Sequence, residues 1–147
     1  MARRAPRGGR SSGPSLGADE RTDARERALI LLYEAESKGA EVEAVLASQV
    51  SVPDRLTTEL VRGVQQHLAR IDEVIAAHAK GWTLARMPVL DRTVLRIAAF
   101  ELLGRPDVPV AVVIDEAVEL AKRFSTDDSP RFVNGVLSAV VPVLRRS

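Results

Sequence analysis

The chain has 147 residues and no cysteine. That is enough for one domain with a real core, and it excludes a disulfide frame or a thiolate metal site. Net charge is +1, but residues 1–18 hold Arg3, Arg4, Arg7 and Arg10 and no acid, so the remaining residues carry −3. A uniformly basic nucleic-acid binder is thereby excluded, whereas a basic arm on a mildly acidic body is not.

Residues 1–18 are rich in Arg, Gly, Ser and Pro and nearly devoid of apolar side chains. They are expected to be a disordered basic tail, because they cannot bury enough surface to offset ordering entropy. The domain proper is expected over residues 19–147. No apolar run approaches the roughly 18–20 residues of a membrane span, and a Gly/Ser/Pro stretch stands where a signal peptide needs an apolar region. A reducing cytoplasm is the expected location.

The first helix is predicted to begin near Asp19–Arg21. Ala24, Ala28, Leu31, Leu32 and Ala35 form its apolar stripe, and Gly39 suits its end. Arg21 and Arg25 lie four apart, off that stripe, where like charges repel unless an anion uses them. A short helix follows at about Glu41–Ser48. Ser51 to Asp54 reads as a capping box. Leu56, Leu60, Val64, Leu68, Ile71 and Ile75 then keep a 3.6 spacing as far as Gly81, which predicts one long, bent helix. After Met87 and Pro88, Leu90–Leu103 is apolar nearly all round, the mark of a central buried helix. Gly104 and Pro106 end it. Asp107, Val108 and Pro109 open a fifth major helix lined by Val113, Ala117, Ala121 and Phe124, with Glu119 and Arg123 spaced for an exposed pair. Ser129 reads as the N-cap of a last helix, with Pro130 in its first position. Phe132, Val133, Val136, Leu137 and Val140 are its buried stripe. The fold class is all-α, a bundle of about six to seven helices, and no strand pattern competes.

The search for chemistry is nearly empty. His67 and His78 are the only histidines and lack a metal-ligand set, so no metal or cofactor is expected. No phosphate loop and no nucleophile elbow occur. Adjacent acids such as Asp115 and Glu116 diverge on a helix, so no catalytic residue is assigned. Asn134 and Gly135, inside the last helix, are poor helix formers, glycine by about 1 kcal/mol against alanine. Close helix packing is the first account of them, and approach to a ligand the second. Amides at that helix start suit a phosphate, but Asp127 and Asp128 repel one.

The same residues carry a resemblance. DEAVELAKRF over residues 115–124, followed by DSPRFVNGVL over 128–137, resembles the signature of the NusB family of antitermination factors. DRTVLRIAAFEL over 91–102, DVP over 107–109 and RERALILLY over 25–33 are similar to its earlier motifs. The match spans about residues 21–141. It implies two three-helix groups sharing a core. It also implies binding, with the ribosomal protein NusE, to the boxA element of rRNA leaders, in support of RNA polymerase. Arg21 and Arg25 match the family's arginine-rich motif, which Thr22 and Asp23 interrupt here. By the same resemblance His78, Phe124, Asp128, Arg131, Phe132 and Asn134 are RNA-binding candidates, and Asp91 and Phe100 are candidates for the NusE face. A NusB-like domain also precedes the catalytic domain of some rRNA cytosine methyltransferases. The expectation is against an enzyme, since no sheet–helix domain follows here. A homodimer covering its own RNA face is a third reading.

Overall fold

The computed structural model describes residues 17–145, so the basic arm lies outside the described residues except for Gly17 and Ala18, which start the first helix. Among the described residues there are seven α-helices and no strand. They are α1 (Ala18–Lys38), α2 (Val42–Ala47), α3 (Arg55–Gln66), α4 (Leu68–His78), α5 (Val89–Gly104), α6 (Val110–Phe124) and α7 (Ser129–Leu144), with one 3-10 turn at Leu84–Arg86. The chain α1–α2–α3 forms one group, and α4, α6 and α7 gather on the other side. Helix α5 touches α1 and α3 on one flank and α4, α6 and α7 on the other.

Helix α1 stops where expected. Gly39 takes φ 61°, and its amide bonds back to the last turn, the left-handed close that glycine permits. The start of α3 differs from the expected box. Asp54 itself is the N-cap, its carboxylate accepting from the Thr57 amide at 2.7 Å. Ser51 and Val52 stay outside the helix, and the Arg27 guanidinium donates to their carbonyls. The long helix expected up to Gly81 is two helices. His67 leaves helical geometry at φ −110°, its Nδ1 donates to the Gly63 carbonyl at 3.0 Å, and its ring rests 5.7 Å from that of Phe100. Apolar spacing runs unbroken across this joint, so periodicity alone could not reveal it. The Glu119–Arg123 pair does not form. Arg123 bonds Glu26 of α1 at 2.7 Å instead, tying α6 to the other group.

Helix α5 is buried along most of its length, as its composition predicts. Its polar residues are spent inside the fold. Arg96 grips Asp72 of α4 through two bonds of 2.8 Å. Arg92 bonds the Leu84 carbonyl and Glu36 of α1. Phe100, near the other end, lies against Gly63 and Gly104. A Cβ at Gly63 would stand 2.2 Å from its ring, so α3 and α5 approach this closely only because that side chain is missing. The C-terminal carbonyls of α5 are closed by Arg145, which donates to the carbonyls of Glu101, Leu102, Arg105 and Val108. Basic capping of orphan carbonyls thus reaches across from the end of α7.

At the centre Arg25 of α1 meets Glu101 of α5. Both side chains are 2% exposed, and two bonds of 2.7 and 2.8 Å join them. Glu116 of α6 adds a carboxylate 3.6 Å away. Burial acts to lower the Arg25 pKa, but the hydrogen bond and charge of Glu101, with the charge of Glu116, outweigh it and hold the guanidinium above its ordinary value. Removing one partner of a buried pair strands the other charge. Glu101→Ala and Arg25→Ala are therefore each expected to cost about 3–5 kcal/mol in urea unfolding. The double variant Arg25→Met/Glu101→Leu is expected to recover most of that loss. Single-variant losses under about 1 kcal/mol, the range of exposed pairs, would contradict a buried ionic centre.

Candidate nucleic-acid interface

A cavity of about 510 Å³ opens where the start of α7, the loop before it and the loop between α4 and α5 converge. Its lining includes Trp82, Asp91, Thr126, Asp128, Arg131 and Phe132. Each wall follows from local sequence. Gly81, at φ 80°, turns the chain after α4 and presents Trp82 outward, where it remains 46% exposed. The Trp82 and Phe132 rings meet edge to face with centroids 6.0 Å apart, a favoured aromatic geometry. Asp91, in the first turn of α5, is buried and accepts a hydrogen bond from the Ser125 hydroxyl.

The loop into α7 is held by its own hydroxyls. Helix α7 begins at Ser129 rather than after it, and Asp128 occupies the cap position with no side-chain cap bond. The Ser129 hydroxyl turns back instead to accept from the Thr126 amide at 3.1 Å, and it lies 2.8 Å from the Thr126 hydroxyl. The loop beside the cavity is thus held by its own hydroxyl hydrogen bonds.

The structure brings together Asp128, Arg131 and Phe132 of the residues singled out by sequence, and it adds Asp91, which had been expected on a partner face. Arg131 is exposed at the cavity mouth and Phe132 is half-buried. Asn134 lies one turn on, also exposed. Phe124 is half-buried in the core flank, with the Arg123 guanidinium 4.9 Å above its ring. His78 is half-buried in the last turn of α4, its Nδ1 donating to the Val74 carbonyl at 2.8 Å. Arg21 is half-buried near the start of α1. The neighbouring Thr22 bonds Glu116, which lies eight residues, or roughly 12 Å of axis, before the end of α6.

Two expectations are corrected. Arg25 does not face a nucleic acid, because its guanidinium is consumed inside the fold by Glu101. The anion that relieves its repulsion with Arg21 is the protein's own. Phe100 is not a partner surface, because it is 6% exposed and wedged against two glycines. Sequence reasoning missed Trp82 altogether. The available signal was a lone tryptophan directly after a turn glycine, in a segment lacking helical spacing. Among the described residues no group of three or more His, Cys, Asp or Glu could hold a metal ion.

Gly135 is also clarified. An added Cβ there would meet nothing within 4 Å, so packing inside this chain does not explain it. Arg131, Asn134, Gly135 and Ser138 form an exposed strip along α7 beside the cavity.

Among the described residues, an all-helical scaffold carries an aromatic cavity edged by an arginine. Its kin are clear. The NusB family profile matches residues 22–142. The chain is 53% identical over 129 residues to the transcription antitermination protein NusB of Saccharopolyspora erythraea, covering 84% of this chain and 87% of that protein. It is 48% identical over 142 residues to that of Beutenbergia cavernae, covering 85% and 93%. Among solved structures, T. maritima NusB superposes with a TM-score of 0.75 at 34% identity, covering 83% of this chain and 90% of that one. A structure of the antitermination factors NusB and NusE in complex with dsRNA superposes at 0.73 and 25% identity, covering 86% and 99%. The chain belongs to the NusB family of transcription antitermination proteins, a family of RNA-binding factors and not of enzymes. No helix of the described residues is long and apolar enough to cross a membrane.

With no internal contact to lose, Gly135→Ala is expected to raise unfolding stability by about 1 kcal/mol, the helix-propensity difference. Equilibrium urea unfolding reads this directly. A loss of stability would mean that the position carries a structural demand after all.

Proposed function

We propose that this protein binds boxA-type rRNA leader RNA together with NusE, as part of an antitermination complex with RNA polymerase in the cytoplasm. The observation that carries the RNA half is the cavity. It combines an exposed tryptophan, a phenylalanine and an arginine at the start of the last helix, the combination by which single strands are held through stacking plus backbone charge. A relative's structure with NusE and dsRNA supports both partner classes. For this chain a single strand fits better, because an unstacked base can enter a pocket that a paired base cannot.

On this reading Arg131 meets a phosphate, and Trp82 and Phe132 meet a base. Asn134 and the exposed strip of α7 follow the strand outward. His78 and Phe124 are flanking contacts, and Arg21 works with the basic arm at a separate point. Arg25 and Phe100 are not included, and Asp91 belongs with the RNA cavity rather than with the NusE face. NusE takes another surface, and a homodimer that hides the cavity would compete with RNA.

Fluorescence anisotropy with a boxA-like single strand, its scrambled version and the matching duplex, each with and without NusE, tests this. The boxA-like strand is expected to bind best, and more tightly with NusE. Arg131→Ala should weaken binding and make the salt dependence shallower by about 0.7 in slope, the share of one single-strand phosphate. Equal affinity for the boxA-like and scrambled strands, or none for either, would sink the proposal. Light scattering of the free protein separates the homodimer.

A further inference from the structure

We propose that a second cavity, between the two helix groups, binds a small carboxylic acid with an apolar stem, which displaces the protein's own Glu36. This cavity, of about 640 Å³, opens between the end of α1, the start of α4, the 3-10 turn and α5. It shares no lining residue with the aromatic cavity. Its volume lies within the roughly 300–1,000 Å³ of small-molecule sites. Leu32, Ala40, Leu68 and Leu84 line it, each packed on the core yet only half-buried. Walls of this kind gain from a further apolar group that covers them.

The polar end of this cavity is built for one carboxylate. Arg92 and Arg96 stand four apart on α5, so their guanidiniums share a face. Each is anchored on one side. Arg96 holds Asp72 through two bonds of 2.8 Å, and Arg92 donates to the Leu84 carbonyl at 2.8 Å. On the other side both turn to Glu36. Its Oε2 accepts from Arg92 Nη2, and its Oε1 lies 3.6 Å from Arg96 Nη1. A carboxylate bridging two guanidiniums is a charge-assisted contact, and it displays the chemistry that the spot selects. Glu36 is also the member able to leave. Its side chain is 40% exposed, against 11% for Arg92 and 18% for Arg96. It sits in the last turn of α1, where the helix dipole disfavours a negative charge. An incoming carboxylate keeps the charge balance, and its stem supplies the apolar contact that Glu36 lacks. A phosphate fits less well, because its second charge would face Asp72.

The test is calorimetric titration of the full chain at pH 7 with butanoate, hexanoate and octanoate, and with octan-1-ol as the uncharged control. Affinity is expected to rise about fourfold per added methylene, the transfer gain of one buried CH₂. Octanoate should bind about tenfold tighter than octan-1-ol, and amide NMR shifts should move at Leu84, Arg92 and Arg96 but not at Arg131 and Phe132. The decisive variant is Glu36→Gln, an exposed change whose folding circular dichroism checks. It removes the internal competitor, so octanoate should bind it about threefold tighter or better. Equal affinity for octanoate and octan-1-ol would overturn the proposal, since the arginine pair would then select nothing. So would weaker octanoate binding by Glu36→Gln, or shifts confined to the aromatic cavity. Neither result bears on the RNA reading, which rests on other residues.

Discussion

The fold depends on one buried ion pair. Arg25 and Glu101 join the first helix to the central one with both charges out of water. Desolvating two ions is costly, and their attraction repays this only with good geometry and satisfied hydrogen bonds. Here a forked guanidinium meets a carboxylate through two parallel bonds, the geometry that makes such pairs strong. Further charges complete the arrangement, with Glu116 behind Arg25 and Arg105 3.8 Å from Glu101. A pair of this kind does more to fix which helices meet, and in what register, than to add net stability.

That constraint sets the rest. Once α5 is fixed against α1, its far end carries Phe100 into the space left by Gly63 and Gly104. Its near end brings Asp91 to the loop before α7, where Ser125 holds it. Arg92 and Arg96 secure the same end to α1 and α4. The cavity is therefore built on the rigid N-terminal end of α5, with two loops laid against it. One loop is stiffened by the Ser125, Thr126 and Ser129 hydroxyls. Side chains that must meet a ligand in fixed geometry need such support, since a loop alone would hold them loosely.

Much of this was legible in the sequence. The apolar stripes of α1, α6 and α7, the all-round apolarity of α5 and the stop at Gly39 follow from spacing and from glycine's left-handed preference. The long motif of residues 115–137 carried the family. What escaped was long-range by nature. Arg25 looked like a surface cation because its partner lies 76 residues away, and no local rule pairs them. Phe100 looked available because the glycines that receive it are equally remote or locally ambiguous. The break at His67 hides within an unbroken 3.6 spacing, since both helices bury the same side. Trp82 was passed over because it belongs to no periodic element. In a scaffold whose stripes are all accounted for, that is a reason to look at it.

The charge distribution now takes a definite sense. A body carrying −3, with two carboxylates inside its candidate site, would be a poor general polyanion binder. Affinity that came mostly from phosphates would fall steeply with salt and carry little sequence information. An acidic cavity with stacking walls reverses the balance, because it penalises a strand that offers only phosphates and favours one that offers a base in the right place. If the cavity is the RNA site, the same charges lower its affinity for arbitrary RNA. The shortfall must then be made up elsewhere, by the four arginines of residues 1–18 or by a partner that contacts the strand alongside. If the cavity is the RNA site, its carboxylates make a second RNA-contacting surface, on the arm or on a partner, the physical complement of the first.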